Sequence, residues 1–343
     1  TTLGDHEQPY QVMLVEILAG EYKGLRLEVD YGKRQIRSDE IMLRPGDKLL
    51  VSVDALPDGR MAAYYVDFVR SKELAILGIL FVAAILIMAR RKGLGSLLGL
   101  SFSLLVVIKY IIPHILQGED PVRVSIIGST ILLGVTLYLT YGWNLKTHAA
   151  VVGMLLSLVL TGTLAWFFVL STKLTGAGDE SALYLIQMSN VYINLRGLLL
   201  GGMLVGALGV LDDLVITQAS AVFEIHDANP SLGFWALYRK ASRIGEDHVA
   251  ATVNTLVMAY AGASLPILLI FSLSRGNFAY LVNFSFIAEE IVRTLVGSLG
   301  LIAAVPITTI LAASFALYAY RLGRLRPLLG PENSGGVSHH HTH

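Results

Sequence analysis

No cysteine occurs among the 343 residues. Disulfides, thiolate catalysis and cysteine-ligated zinc or iron–sulfur sites are therefore excluded. Charge is scarce as well. Asp, Glu, Lys and Arg make up 15% of the chain, and the 26 basic side chains balance the 26 acidic ones. With neither sign in surplus, the chain offers no broad positive field for nucleic acid. His-Glu-x-x-His and Gly-x-Ser-x-Gly are both missing. Zinc-peptidase and serine-hydrolase chemistry lack their usual frameworks, and an intramembrane enzyme is the least supported class.

What is present is apolar. Hydrophobic residues amount to 54% and the mean hydropathy is +0.62, which marks a polytopic membrane protein. Seven runs suit a crossing of ~30 Å by ~20 residues: about 73–90, 94–115, 122–142, 147–171, 196–216 or longer, 249–273 and 298–320. Before them, "YQVMLVEIL", "GLRLEV", "DKLLVSVDAL" and "MAAYYVDFV" read as short strands separated by "AGEYKG", "RPGD" and "PDG". Four or five strands in this length suggest a small β-barrel of OB type, although an open sheet has a similar signature. The expected fold is thus an α-helical membrane protein with a small N-terminal β-domain. Its parts are 1–70 as β-domain, 71–326 as helical domain, and 327–343, ending in "GGVSHHHTH", as a flexible tail.

"ARRK" at 89–92, Lys146, Arg239, Lys240, Arg243, Arg321, Arg324 and Arg326 share one side if the crossings alternate. That side is expected to be the cytoplasm, with the β-domain extracytoplasmic and the C-terminus cytoplasmic. Export of the β-domain requires a preceding signal or anchor, and an anchor helix would bring the crossings to eight.

The most informative stretch is "GVLDDLVITQASAVFEIHDANP", 209–230, which continues the apolar "RGLLLGGMLVGALG" with acid. On a continuous helix, Gly202, Gly206, Gly209, Asp213, Thr217, Ser220, Glu224 and Asp227 lie within roughly ±40° of one line. Glycines in such a seam let another helix approach closely. Acids in it call for water, a cation or a proton. Two depths are open: an end at Ile216 leaves Asp212 and Asp213 in the wet interface, and an end near Phe223 sinks Asp213 toward mid-membrane. Asp212, Asp213 and Glu224 are candidate ligands for a cation. Thr217, Ser220, His226, Asp227, Asn229 and Asn254 are further binding candidates. Oxygen-rich ligands with one imidazole suit Mn²⁺ or Mg²⁺. "HDANP" also ends a helix, since Asn before Pro starts a turn.

Residues 231–248 are read as an amphipathic helix with Trp235 and Tyr238 at headgroup depth, or as a solvated connector. Residues 285–297 form a second amphipathic or re-entrant helix, in which Glu289 and Arg293 have i,i+4 ion-pair spacing. Breaks are expected near Pro266 and Pro306.

"GALGVLDDLVITQASAVFEIHDANP" followed by "NTLVMAYAGASLPILLIF" resembles the YibE/F-like family of bacterial multi-pass membrane proteins. "ILAGEYKGLRLEV", "LRPGDKLLVSV" and "RRKGLGSLLGLSFSLLVV" extend the resemblance over nearly the whole chain. Gln218 and Asp227 replace the commoner Ser and Glu, and Asp227 has the shorter reach. The resemblance implies an architecture in the bacterial cytoplasmic (inner) membrane, not an activity. Two functions are open from the residues: a permease for a small cation or proton-coupled solute, or an envelope partner acting through the β-domain. Lipid and a small ion or solute are the expected partners, nucleic acid is not, and the oligomeric state is open.

Overall fold

The computed structural model describes residues 2–3, 6–7, 10–32, 42–55, 61–189, 191–273 and 278–319, with 321, 327 and 329–331. The turn at 57–59, Arg324, Arg326 and the histidine-rich end lie outside the described residues. The chain divides into two compact units, Thr1–Met88 and Ala89–His343.

In the first unit, β1 (Thr2–Leu3) and β2 (His6–Glu7) form an antiparallel pair. The larger sheet contains β3 (Gln11–Glu16), β4 (Arg26–Tyr31), β5 (Leu49–Ala55) and β6 (Met61–Phe68), in the order β3-β4-β6-β5. β3 alternates as a half-buried strand must, with Met13 and Val15 turned inward and Val12 and Leu14 exposed. Gly20 and Gly24, at φ 96° and 91°, supply the left-handed positions of the turn between β3 and β4. Val29, Tyr31 and Ala63 form the buried centre. The rings of Tyr31, Tyr65 and Phe68 pack edge-on beside it. Burial, with Asp67 close by, pushes the Tyr65 hydroxyl up to about 12. Where the sequence suggested a barrel, the described strands make an open mixed sheet with β3 and β5 as its edges. The parallel β4–β6 pairing skips β5, a non-local choice that strand patterns do not encode.

The helices are α1 (Ser71–Val106), a π-helical turn at Val107–Ile111, α2 (Ile112–Leu116), α3 (Pro121–Tyr141), α4 (Leu145–Ser171), α5 (Glu180–Met188), α6 (Leu195–Ala228), α7 (Phe234–Ala263), α8 (Leu265–Leu273), α9 (Phe278–Leu281) and α10 (Ser285–Tyr318). α1 is two limbs joined at Arg90, whose φ of 48° and ψ of −122° are not helical. Among the described residues six segments are long and apolar enough to cross a membrane: Ser71–Arg90, Gly93–Leu116, Pro121–Tyr141, Leu145–Ser171, Leu195–Ala228 and Ser285–Tyr318. The expected seventh, 249–273, is shared between α7 and α8, which part at Ser264 just before Leu265–Pro266. Residues 234–248 and 285–297 are the opening turns of α7 and α10, each continuous with the remainder of its helix. α10 also runs unbroken through Pro306. Buried Ala304, Val305, Thr308 and Thr309 pack on both sides of the proline and hold the helix in line.

Local chemistry fixes where the spans begin. Asp120, Asn144 and Asn194 accept the N–H groups of Arg123, Thr147 and Gly197 at 2.9, 2.9 and 3.1 Å, capping α3, α4 and α6. The helices then meet through small residues. Gly300 faces Thr161, Gly153 faces Thr308 and Gly201 faces Ser125, so closely that a Cβ on any of these glycines would press into the partner. These contacts, with Gly197 beside Pro121, Gly162 beside Leu204 and Gln218 beside Thr309, set the directions. α3, α6 and α10 run parallel; α4 and α7 run against them. Residues 329–331, expected to begin a loose tail, are tied to α4. Leu145 N–H donates to Pro331 O at 3.0 Å, and His148 Nε2 lies 3.2 Å from Leu329 O.

Candidate functional site: an acceptor-lined cavity at Asp212

α6 is a single 34-residue helix, so Asp212 and Asp213, about 100° apart, look in different directions. Asp212 lines a cavity of about 240 Å³ between the second limb of α1, α3, α4 and α6. Its walls carry Ser96, Gly99, Ser103, Thr136, Thr140, Tyr141 and Gly209, with Leu132, Leu133, Met154 and Leu208 behind them. The Asp212 Oδ1 is buried and has no hydrogen-bond partner.

Two of the five cavity hydroxyls, Ser103 and Thr136, have a definite polarity. Ser103 donates its proton to Gly99 O at 3.0 Å and Thr136 to Leu132 O at 2.8 Å, each within its own helix. Their protons are spent on backbone, and only oxygen lone pairs are left to meet a guest. Together with the buried Asp212 Oδ1 they supply acceptors, beside the hydroxyls of Ser96, Thr140 and Tyr141. A carboxylate beside such acceptors suits a cation or a proton carrier better than an anion.

Its depth comes from register. Pro121 lies beside Gly197 and Ser125 beside Gly201, and continuing that offset sets Asp212 opposite Thr136. That point is about 8 Å from the Tyr141 end of α3 and about 22 Å from its Pro121 end, at 1.5 Å per residue. Along α3, Asp212 thus stands in the half nearer Tyr141.

Asp213 points outward, with its side chain 77% exposed, and its Oδ2 stands 3.7 Å from His248 Nε2 on α7. Glu224 is about 17 Å farther along the same straight helix, so Asp212, Asp213 and Glu224 do not converge on one ion. Among the described residues no group of three or more His, Cys, Asp or Glu is placed to hold a metal. Asn254 lies near the level of Ala207, about 9 Å along the bundle from Asp213. Thr217, Glu224 and Asp227 are exposed and Ser220 is half-buried. His226 has a buried Nδ1 with no partner, away from the cavity. Asn229 caps the end of α6, and its Oδ1 accepts Ser231 Oγ–H at 2.6 Å.

Among the described residues the glycine seam is open. A Cβ on Gly202, Gly206 or Gly209 would meet nothing within 4 Å. Gly206 borders a crevice with Tyr260, Arg293 and Gly297, but at about 10 Å³ it accommodates at most one water. Arg293 pairs with Glu290 at 2.8 Å, not with Glu289 as i,i+4 spacing suggested. Glu289 is 4% exposed and turned toward the loop before α5, where its Oε1 accepts the N–H groups of Gly176 and Gly178, each at 3.2 Å.

Sequence reasoning passed over His248, the cavity hydroxyls and the role of Gln218. The hydroxyls had left a signal, since Ser96 and Ser103 at i,i+7 and Thr136 and Thr140 at i,i+4 each share a helix face. Gln218 left none. Buried between three helices, it donates to Ala241 O at 3.0 Å and Thr309 Oγ1 at 2.7 Å.

A family model described as YibE/F-like protein matches residues 77–317. The chain belongs to the YibE/F-like family. The match takes in every cavity residue and stops short of the β-sheet, so the strand motifs that extended the resemblance lie beyond it. No curated protein and no solved structure matches this YibE/F-like chain.

Proposed function

We propose that this YibE/F-like protein is a permease for a small cation, or for a solute coupled to protons, in the bacterial inner membrane. The observation that carries the reading is Asp212, whose buried Oδ1 has no hydrogen-bond partner among the described residues, in a cavity where the Ser103 and Thr136 protons are already committed. An ionised carboxylate within a span costs ~2.5–3.5 kcal/mol even on the milder insertion scales. A cation or a proton removes that cost. Protons and cations would then compete for one carboxylate, which couples their movement. α7 with α8 would serve as a seventh crossing, since α6 and α10 are parallel and α7 returns between them. The β-domain would lie outside, and the ends of α3 and α6 that carry Tyr141 and Ala228 would face the cytoplasm.

The test is flux in reconstituted vesicles, screening H⁺, Na⁺, Mg²⁺, Mn²⁺, Ca²⁺ and Zn²⁺. Asp212→Asn should abolish the flux seen with the unaltered protein while preserving its elution profile. If no ion moves and none binds the purified protein, cation transport is wrong. The second reading, an envelope partner, is favoured by a cleft of about 750 Å³ lined by Met13, Val15, Leu49 and Val51 along the sheet edges. Recovery of an envelope component dependent on these residues, without any flux, would favour it.

A further inference from the structure

We infer that α5 lies in the headgroup layer of the bilayer, its flanks dipped into lipid and its outer edge in water. The inference rests on reading α4 and α6 as membrane crossings. α5 has no buried residue, yet it is rich in large apolar side chains: Leu183, Tyr184, Ile186 and Met188 are 45, 64, 47 and 81% exposed. Their arrangement has three parts. Ala182, Leu185 and Ser189, spaced three and four apart, form the least exposed stripe, and Leu185 packs against the bundle core. Directly opposite, on a wheel of about 100° per residue, stand Glu180 and Gln187. Ile186 and Leu183 occupy one flank between these sectors, and Met188 and Tyr184 the other.

Both ends of the helix are pinned where the flanking spans end. On the α4 side, Leu174 is 3% exposed in a cluster with Val169, Leu199 and Val292, and its carbonyl accepts Arg196 Nε–H at 3.0 Å. Glu289 holds Gly176 and Gly178 of the same strap. On the α6 side, Ile193 is 4% exposed and Asn194 caps the helix. A nine-residue helix about 13 Å long, held at both ends at this level, cannot leave the boundary. Protein below, water above Glu180 and Gln187, and apolar flanks at each side describe an interfacial helix, and lipid is the medium that covers those flanks. Tyr184, with a ring and a hydroxyl, suits that layer.

Because the chain has no cysteine, single spin labels test this in the full-length protein, reconstituted in phosphatidylcholine–phosphatidylglycerol vesicles. Labels go on Tyr184→Cys, Met188→Cys, Glu180→Cys and the mid-span control Val159→Cys, whose native side chain is 67% exposed. Collision with oxygen and with a water-soluble nickel chelate reports depth. Labels at 184 and 188 should fall between the hydrocarbon value at 159 and the aqueous value at 180, with nickel access at least threefold below that at 180. Aqueous values at 184 and 188 with a hydrocarbon value at 159 overturn the inference and leave the crossings standing. Immobile labels closed to both reagents overturn it too, by showing a protein partner. An aqueous value at 159 overturns the crossing reading itself.

Discussion

Asp213 faces His248 at 3.7 Å across the α6–α7 contact, while Asp212, one residue earlier, opens into a cavity that neither of that pair lines. The two carboxylates therefore have separable consequences. With one side chain 77% and the other 30% exposed, the Asp213–His248 pair resembles surface ion pairs worth about 0–1 kcal/mol. His248→Ala should shift the unfolding free energy by less than about 1 kcal/mol and retain most of the ion flux. Asp212→Asn should do the reverse, leaving stability nearly unchanged and removing flux. Loss of flux in His248→Ala, measured in the same vesicles, would move the site to the other side of α6.

Gln218 is expected to be structural. Its Nε2 bridges Ala241 O on α7 and Thr309 Oγ1 on α10, and Thr309 in turn donates to Val305 O. Gln218→Ala removes two hydrogen bonds, each worth about 0.5–1.5 kcal/mol, from groups that keep partners within their own helices. A lowered unfolding midpoint in detergent is the expected result. Gly245→Ala should be harmful for the same neighbourhood, because its Cβ would come within 2.5 Å of Val305 Cγ1 and 2.6 Å of Gln218 Oε1. An unchanged midpoint in both variants would show that these three helices do not depend on the glutamine.

Glycines that look alike in sequence should diverge. Gly300 abuts Thr161 so closely that an alanine must displace α4 from α10, and overpacking of this kind costs about 1–3 kcal/mol. Gly206 has free space in this chain, and alanine there gains up to about 1 kcal/mol of helix propensity. Thermal unfolding of Gly300→Ala and Gly206→Ala in the same detergent decides between them. Strong destabilisation at Gly206 would mean that the open seam is covered in the assembled protein.

The apolar spans and the end of α6 at Asn229 were legible because each depends on local sequence: a run of apolar residues, and an Asn-Pro after the last of α6. The seam through Gly206 and Asp213 was equally legible as geometry, but its neighbours were not. One helix can be rotated on paper, yet the register between α6 and α3, which gives Asp212 its hydroxyl-lined cavity, comes from Gly201 meeting Ser125 across 76 positions of chain. The misassigned Arg293 partner has the same origin. Spacing treats Glu289 and Glu290 as surface groups, whereas the bundle draws Glu289 inward to two loop N–H groups and leaves Glu290 for the arginine. The order of the β-strands was not legible for a related reason, since a parallel β4–β6 ladder is a long-range pairing.

Orientation can be tested by labelling. The helix directions bring Arg90, Lys146, Arg239, Lys240 and Arg243 to one end of the bundle, joined in sequence by Arg91 and Lys92, whereas Arg123, Lys173, Arg196 and Arg293 stand toward the other. By its basic excess the first end is expected to be the cytoplasmic one. A single crossing by 71–90 would then put the β-domain on the opposite side. Glu21→Cys in the exposed β3–β4 turn and Lys240→Cys on the exposed face of α7 test both steps, against a background with no native thiol. A membrane-impermeant maleimide added to intact spheroplasts should label the cysteine at 21, and the one at 240 only after lysis. The opposite pattern would invert the protein in the membrane, and equal labelling of both before lysis would mean that 71–90 does not cross.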